Sequence, residues 1–242
     1  MAHRYLDESL ADVRARQTIA LTGAEARHAV TVSRVTRGEQ LSLGNGAGLV
    51  VHGSVEIAER DRLELRVESV QRHPEPSPTL TLVQALAKGD RAELAVQAAT
   101  ELGVDRIAPW AASRSIVRWD AAKAVKGRDR WAAIAREAAK QSLRPWLPEV
   151  GELLTTKQLT ASATRSRMLV LEPTAPVALS AVQLDARDLT LVVGPEGGID
   201  PVELESLTAA GAEAVRLGPE VLRTSTAGPA AIAVLSAALG RW

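Results

Sequence analysis

Residues 191–207 read LVVGPEGGIDPVELESL. The apolar run Leu189–Val193 has the character of a parallel strand covered on both faces. Asp200 stands as a helix N-cap, Pro201 fits the first helical position, and Glu203 completes a capping-box-like D-P-x-E. The loop GPEGG, residues 194–198, therefore bends between the carboxyl end of a strand and the start of a helix. Ligands of open α/β sheets bind at that place. Glycines there admit positive φ and bring a ligand close to backbone N–H and C=O groups. Glu196 inside the loop disfavours a bare phosphate by like-charge repulsion, and neither G-x-G-x-x-G nor G-x-x-x-x-G-K-[ST] occurs. A neutral or cationic group fits better.

A second segment repeats the layout. LGPEVLRTSTAGPAAIAVL, from Leu217, offers a strand end, a Gly-Pro-Glu loop and a helix start, with hydroxyls at Thr224, Ser225 and Thr226 and a guanidinium at Arg223. Pro229 requires that helix to begin only a few residues earlier. Two such loops in one sheet can close around a small molecule.

Outward from these loops, strands and helices alternate. TLTLVQAL, VDRIAP, RMLVLE, LTLVV and AVRL read as strands. DRAELAVQAATELG reads as a helix capped by Asp90, with Leu94, Ala98 and Leu102 on one face and Gly103 closing it. DRWAAIAREAAKQS reads as a helix with Trp131, Ile134 and Ala138 on one side, and a last helix closes the chain. Such alternation predicts an α/β domain with a mainly parallel sheet and helices on both faces. Before RHPEPSP the pattern differs: TIALTG, EQLSLGNGAGLVVHGSVEIAE and RLELRVESV are strands between Gly/Asn turns, with a short helix over 24–34. The expected division is a small β domain over 1–73, a Pro-rich linker over 74–78 and the α/β domain over 79–242.

The composition sets limits. Of 242 residues 46% are hydrophobic, enough for a sizeable core, and with no Phe and one Tyr that core is aliphatic. Without cysteine there is no disulfide, thiolate metal site or Cys nucleophile. His3, His28, His52 and His73 show no metal-ligand spacing, so no metal is expected. No apolar run suits a membrane span or a signal core, and the expectation is a soluble cytoplasmic protein. The 29 basic and 29 acidic residues cancel, but residues 106–144 hold ten Lys/Arg against three Asp/Glu. A polyanion partner suits that stretch. Arg4, Arg27, Arg34 and Arg37, then Arg114, Arg118, Arg136, Lys140 and Arg144, are candidates for phosphate contacts, and Trp146 for stacking on a base.

Five segments, EARHAVTVSRVTRGEQLSL, KGDRAELAVQAATELGV, EAAKQS, LVVGPEGGI and LGPEVLRTSTA, together resemble the RsmE family of the SPOUT superfamily. The resemblance spans nearly the whole chain. It implies a PUA-like N-terminal β-barrel domain and a C-terminal domain tied in a trefoil knot. It further implies S-adenosylmethionine as cofactor, methylation of N3 of a uridine in 16S ribosomal RNA of the small subunit, and a homodimer. The two loops would hold the methyl donor through Gly194, Pro195, Glu196, Gly198, Leu217, Gly218, Leu222, Thr224, Thr226 and Ala227, with Leu171 as a third-loop contact. The chain departs from the family pattern at Ser225, where an acidic residue is usual, and at Gly228-Pro229.

Charge spreads over two carbonyl oxygens when N3 of uracil loses its proton. Arg223 is the candidate to stabilise it, and Glu196 either accepts the proton or orients its loop. The absent cysteine removes the usual route to carbon methylation of a pyrimidine. Two alternatives stand beside this reading: a ribose 2′-O-methyltransferase, and an RNA-binding assembly factor without catalysis.

Overall fold

The structure is a computed structural model that describes residues 4–242, so His3 lies outside the described residues. The chain forms two compact units. Residues up to 75, together with 139–147, make the first, and residues 76–138 with 148–242 make the second.

In the first unit, β1 (Arg4–Leu6), β2 (Thr18–Thr22), β3 (Gln40–Gly44), β4 (Leu49–Glu59) and β5 (Arg62–Arg72) form one sheet in the order β1-β3-β4-β5-β2. All pairs are antiparallel except β1 with β3. One face buries Tyr5, Leu21, Leu43, Val51, Leu63 and Leu65. The helix expected over 24–34 is one α-turn, α1 (Gly23–Arg27), running into a π-helical turn at His28–Val32. β1, three residues long, was not expected from the pattern. Neither was the return of 139–147 to this unit. Gly48 (φ +87°) donates its N–H to Pro145 O at 3.0 Å, and a Cβ there would lie 2.5 Å from His73 O and 2.7 Å from the Trp146 ring. Trp146 is half-buried on this glycine and donates to His73 O.

The second unit begins with β6 (Leu80–Ala85), α2 (Arg91–Glu101), β7 (Arg106–Trp110), α3 (Ala121–Gln141), β8 (Glu149–Val150), α4 (Thr156–Ser162) and β9 (Arg167–Leu171). It continues with β10 (Val177–Ala178), α5 (Pro201–Ala209) after β11 (Leu189–Val193), then β12 (Glu213–Arg216) and α6 (Thr224–Ala238). The seven strands are all parallel, in the order β10-β12-β9-β11-β6-β7-β8. Strand alternation sends Leu82 and Leu191 to one face, under Val96 of α2, Trp131 of α3 and Ile232 of α6. Val83 and Val192 go to the other, under Leu159 of α4 and Leu207 of α5. This is the α/β sheet with helices on both faces.

Several local readings are corrected. Leu94 is 48% exposed; α2 buries Ala92, Ala95, Val96 and Ala99, small residues that let it lie close to α6. Asp90 holds the N-cap position without a side-chain bond. α3 starts at Ala121, well before the pattern suggested: Asp120 caps it by accepting from Lys123 N at 2.9 Å, and Trp119 stacks edge-on against Trp131 and roofs Gly127. β8, β10 and α4 are too short to announce themselves.

Candidate active site

A parallel sheet puts the carboxyl ends of all its strands along one edge. There β6, β9, β11 and β12 release their loops around a cleft of about 380 Å³. Of the residues expected to hold a cofactor, Leu171, Gly194, Pro195, Glu196, Gly198, Leu217, Gly218, Leu222, Thr224 and Ala227 line it, as does Arg223. Thr226 does not; its N–H caps the turn by donating to Arg223 O at 2.8 Å. Arg91, Glu172 and Glu220 also line the cleft and were missed by sequence reasoning. Glu172 directly follows the RMLVL strand, and that position was its only signal.

The glycine loop is held from three sides. Gly198 (φ +72°) takes the left-handed conformation, and its N–H donates to Pro195 O at 2.9 Å to close the turn. Gly194 has Ile199 folded onto it, 2.6 Å from where a Cβ would stand. Asp200 caps α5 through Val202 N at 3.0 Å. Glu203 does not turn back to complete a capping box. Its carboxylate accepts from Ser113 N (2.9 Å), Ser113 Oγ (2.9 Å) and Thr156 Oγ1 (2.5 Å), because it is buried against the loop after β7. Arg114 from that same loop pairs with Asp200 at 3.3 Å and donates to Gly197 O.

Glu196 reaches across to the loop after β6. Its Oε1 accepts from Lys88 N at 2.9 Å and from Arg91 NH1 at 3.0 Å. Burial pushes the Glu196 carboxyl up, but the N–H groups of Glu196 and Lys88 and the Arg91 guanidinium outweigh it, and its pKa falls below the ordinary carboxylate value. The second loop meets the first at its root: Thr224 Oγ1 donates to Gly194 O at 2.8 Å, and Gln84 Nε2 donates to Thr224 Oγ1 at 2.9 Å. Arg223 sits at the N-cap of α6 with its side chain exposed, and its guanidinium has no hydrogen bond or ion pair among the described residues.

The basic residues expected to grip RNA are differently disposed. Arg4 donates to Ser42 Oγ and Leu143 O. Lys140 pairs with Glu25 at 2.9 Å, its side chain 10% exposed. Arg118 donates to Ala112 O and Ser113 O, Arg114 serves the glycine loop, and Arg27 pairs with Asp61. Arg136 and Arg144 are also engaged in interactions within the protein. Arg34 and Arg37 are exposed. Among the described residues no group of three His, Cys, Asp or Glu could hold a metal ion, and no helix is long and apolar enough to cross a membrane.

Comparison with known proteins agrees with this geometry. A family model described as an RNA methyltransferase domain matches residues 73–236, and one described as an RNA methyltransferase PUA domain matches residues 21–68. The chain is 46% identical over 228 residues to ribosomal RNA small subunit methyltransferase E of Mycobacterium bovis, covering 91% of this chain and 86% of that one. It is 30% identical over 246 residues to the Bacillus subtilis protein of the same name, covering 98% and 96%. The crystal structure of the Neisseria gonorrhoeae ribosomal RNA small subunit methyltransferase E bound to S-adenosyl methionine matches it with a TM-score of 0.86 at 29% identity, over 98% of both chains.

Proposed function

The chain belongs to the ribosomal RNA small subunit methyltransferase E family, and from that premise we propose that it methylates 16S ribosomal RNA at N3 of a uridine, using S-adenosylmethionine. The observation that carries this reading is the cleft of about 380 Å³, closed by the glycine loop and the 217–224 loop, which the Thr224–Gly194 bond joins. Its volume is that of a small-molecule site. Its lining is backbone and aliphatic between three carboxylates, at Glu172, Glu196 and Glu220, and three guanidinium groups, at Arg91, Arg216 and Arg223, a balance that suits a nucleoside carrying charges of both signs.

When bound, the cofactor supplies a methyl group already activated on a sulfonium, so the protein's task is positioning and charge stabilisation. Leu171, Leu217 and Leu222 would pack on its flat and aliphatic parts, and the backbone of Gly194, Gly198 and Gly218 would approach its polar edges. Arg223, without an internal partner, is free to face the uracil carbonyl oxygens and stabilise the charge left there when N3 gives its proton to solvent water. It cannot take that proton, because guanidinium stays charged. Glu196 we read as orienting: its carboxylate is occupied by Lys88 N and Arg91, and its lowered pKa makes it a weak base. Arg34 and Arg37 are the candidates for phosphate contacts in the first unit.

The proposal includes the trefoil knot, the homodimer and a cytoplasmic location beside the assembling small subunit. In support of the knot, residues 217–223 carry the chain from β12 back across β9 and β11, to where α6 packs on α2. The test is nucleoside mass spectrometry of 16S RNA, or of small subunits, incubated with the protein and the methyl donor. The expected product is 3-methyluridine. A 2′-O-methylated nucleoside would move the reading to the ribose, and bound donor with unmodified RNA would leave an assembly factor.

A further inference from the structure

β6 is apolar along its buried length except at Gln84, whose side chain is fully buried. Its amide faces Thr224 Oγ1 at 2.9 Å, and that hydroxyl faces Gly194 O at 2.8 Å. A carbonyl oxygen only accepts, so the single proton of the Thr224 hydroxyl belongs to Gly194. The group of Gln84 that meets Thr224 must then be its NH₂, which fixes the amide orientation by donor counting alone. Oε1 is turned the other way, under α6, where a Cβ on Gly228 would stand 3.6 Å from it. There Oε1 has no hydrogen-bond partner among the described residues. A buried amide oxygen left unpaired is destabilising, and an apolar side chain of the same length would fill the space without that penalty. What Gln84 contributes lies in its other half, whose NH₂ donates to Thr224 Oγ1 at 2.9 Å and, over a longer 3.3 Å, to Ala85 O of its own strand.

Resting on the function proposed above, we infer that Gln84 is a positioning residue for the methyl-donor cleft. Through Thr224 it ties the root of the 217–224 loop to the root of the glycine loop. By holding the Thr224 proton on Gly194, it leaves that pair with only acceptor capacity to offer a ligand. The part of the bound nucleoside that meets them is therefore an N–H or O–H donor, an amino or hydroxyl group.

Gln84→Met keeps the volume and removes both halves of the amide. The full-length variant is compared with the unaltered chain by melting temperature without ligand, by calorimetric affinity for S-adenosylmethionine, and by steady-state kinetics. The expected result is a melting temperature equal to or above that of the unaltered chain. The Kd and KM for the donor rise about tenfold, the worth of one net hydrogen bond, while kcat at saturating donor is unchanged. Thr224→Val should give a similar rise, and the double variant no further one. Unchanged donor affinity in Gln84→Met overturns the inference, as does an affinity loss accompanied by a lowered melting temperature. If the unaltered chain binds no donor, the proposed function falls and this inference with it. If it binds and Gln84→Met binds equally well, only the inference falls.

Discussion

Arg223 and Glu196 occupy the same cleft but stand in opposite situations, and their substitutions should separate. Arg223 has a free guanidinium at the start of α6. Arg223→Ala should slow single-turnover methyl transfer about 100-fold, the scale for losing one charge-stabilising donor, with little change in donor affinity. Glu196→Gln should act mainly on the KM for the donor, because Glu196 braces the loop after β6. Equal losses of single-turnover rate in both variants would contradict this division. Glu196 also predicts a pH dependence. Its folded pKa lies below the ordinary carboxylate value, so its contribution to stability is complete above that value and is lost as pH falls through the lowered one. Melting temperatures of the unaltered chain and Glu196→Gln should differ at neutral pH and converge under acid. At this scale the sequence was informative wherever a residue's role is local. The cleft-lining glycines and Arg223 were legible from their loop motifs. The basic residues were not, because whether Lys140 meets RNA or Glu25 depends on a partner 115 positions away.

Among the elements, α5 shows how a loop is made rigid from behind. Glu203 in its first turn accepts three bonds from Ser113 and Thr156, and Trp110 Nε1 donates to Thr156 Oγ1. Glu203 is buried whereas Ser113 is exposed and can turn to water, so Glu203→Ala removes three bonds to a charged group but strands few donors and should cost about 2 kcal/mol in urea denaturation. It should also weaken donor binding, since α5 leads directly from the glycine loop. A variant as stable as the unaltered chain would show the network to be incidental. D-P-x-E was read as a local capping box because its spacing is right. Burial decided otherwise, and burial is set by the β7 and α4 segments packed over it. The same limit hid the true inward face of α2: periodicity singled out Leu94, whereas close approach of α6 needs the alanines. Helices and strands of normal length were legible from period and turn chemistry. Two-residue strands such as β8 and β10 carry too little pattern to be read.

For the molecule as a whole, alternation of strands and helices was enough to foresee a parallel sheet covered on both faces. Strand order was not, since β11 enters between β9 and β6 through pairing that no local signal encodes. The return of 139–147 to the first unit is of the same kind. At the amino edge of the sheet, away from the cleft, Arg241 donates to Asp105 Oδ2 (2.8 Å), Gly103 O (3.0 Å) and Pro78 O, locking the end of the chain to the starts of β6 and β7. Arg241→Ala should cost about 3 kcal/mol by breaking a largely buried pair, and leave donor affinity unchanged in protein that remains folded. The central claim concerns the other edge: two loops, near 194–198 and 217–224, enclose S-adenosylmethionine. The most direct measurement is a crystal structure of the protein soaked with that donor. The account predicts density in the cleft between Gly194, Leu222 and Thr224, with the methyl group open toward Arg223. Donor bound elsewhere, or the two loops parted and making no contact with it, would contradict the account.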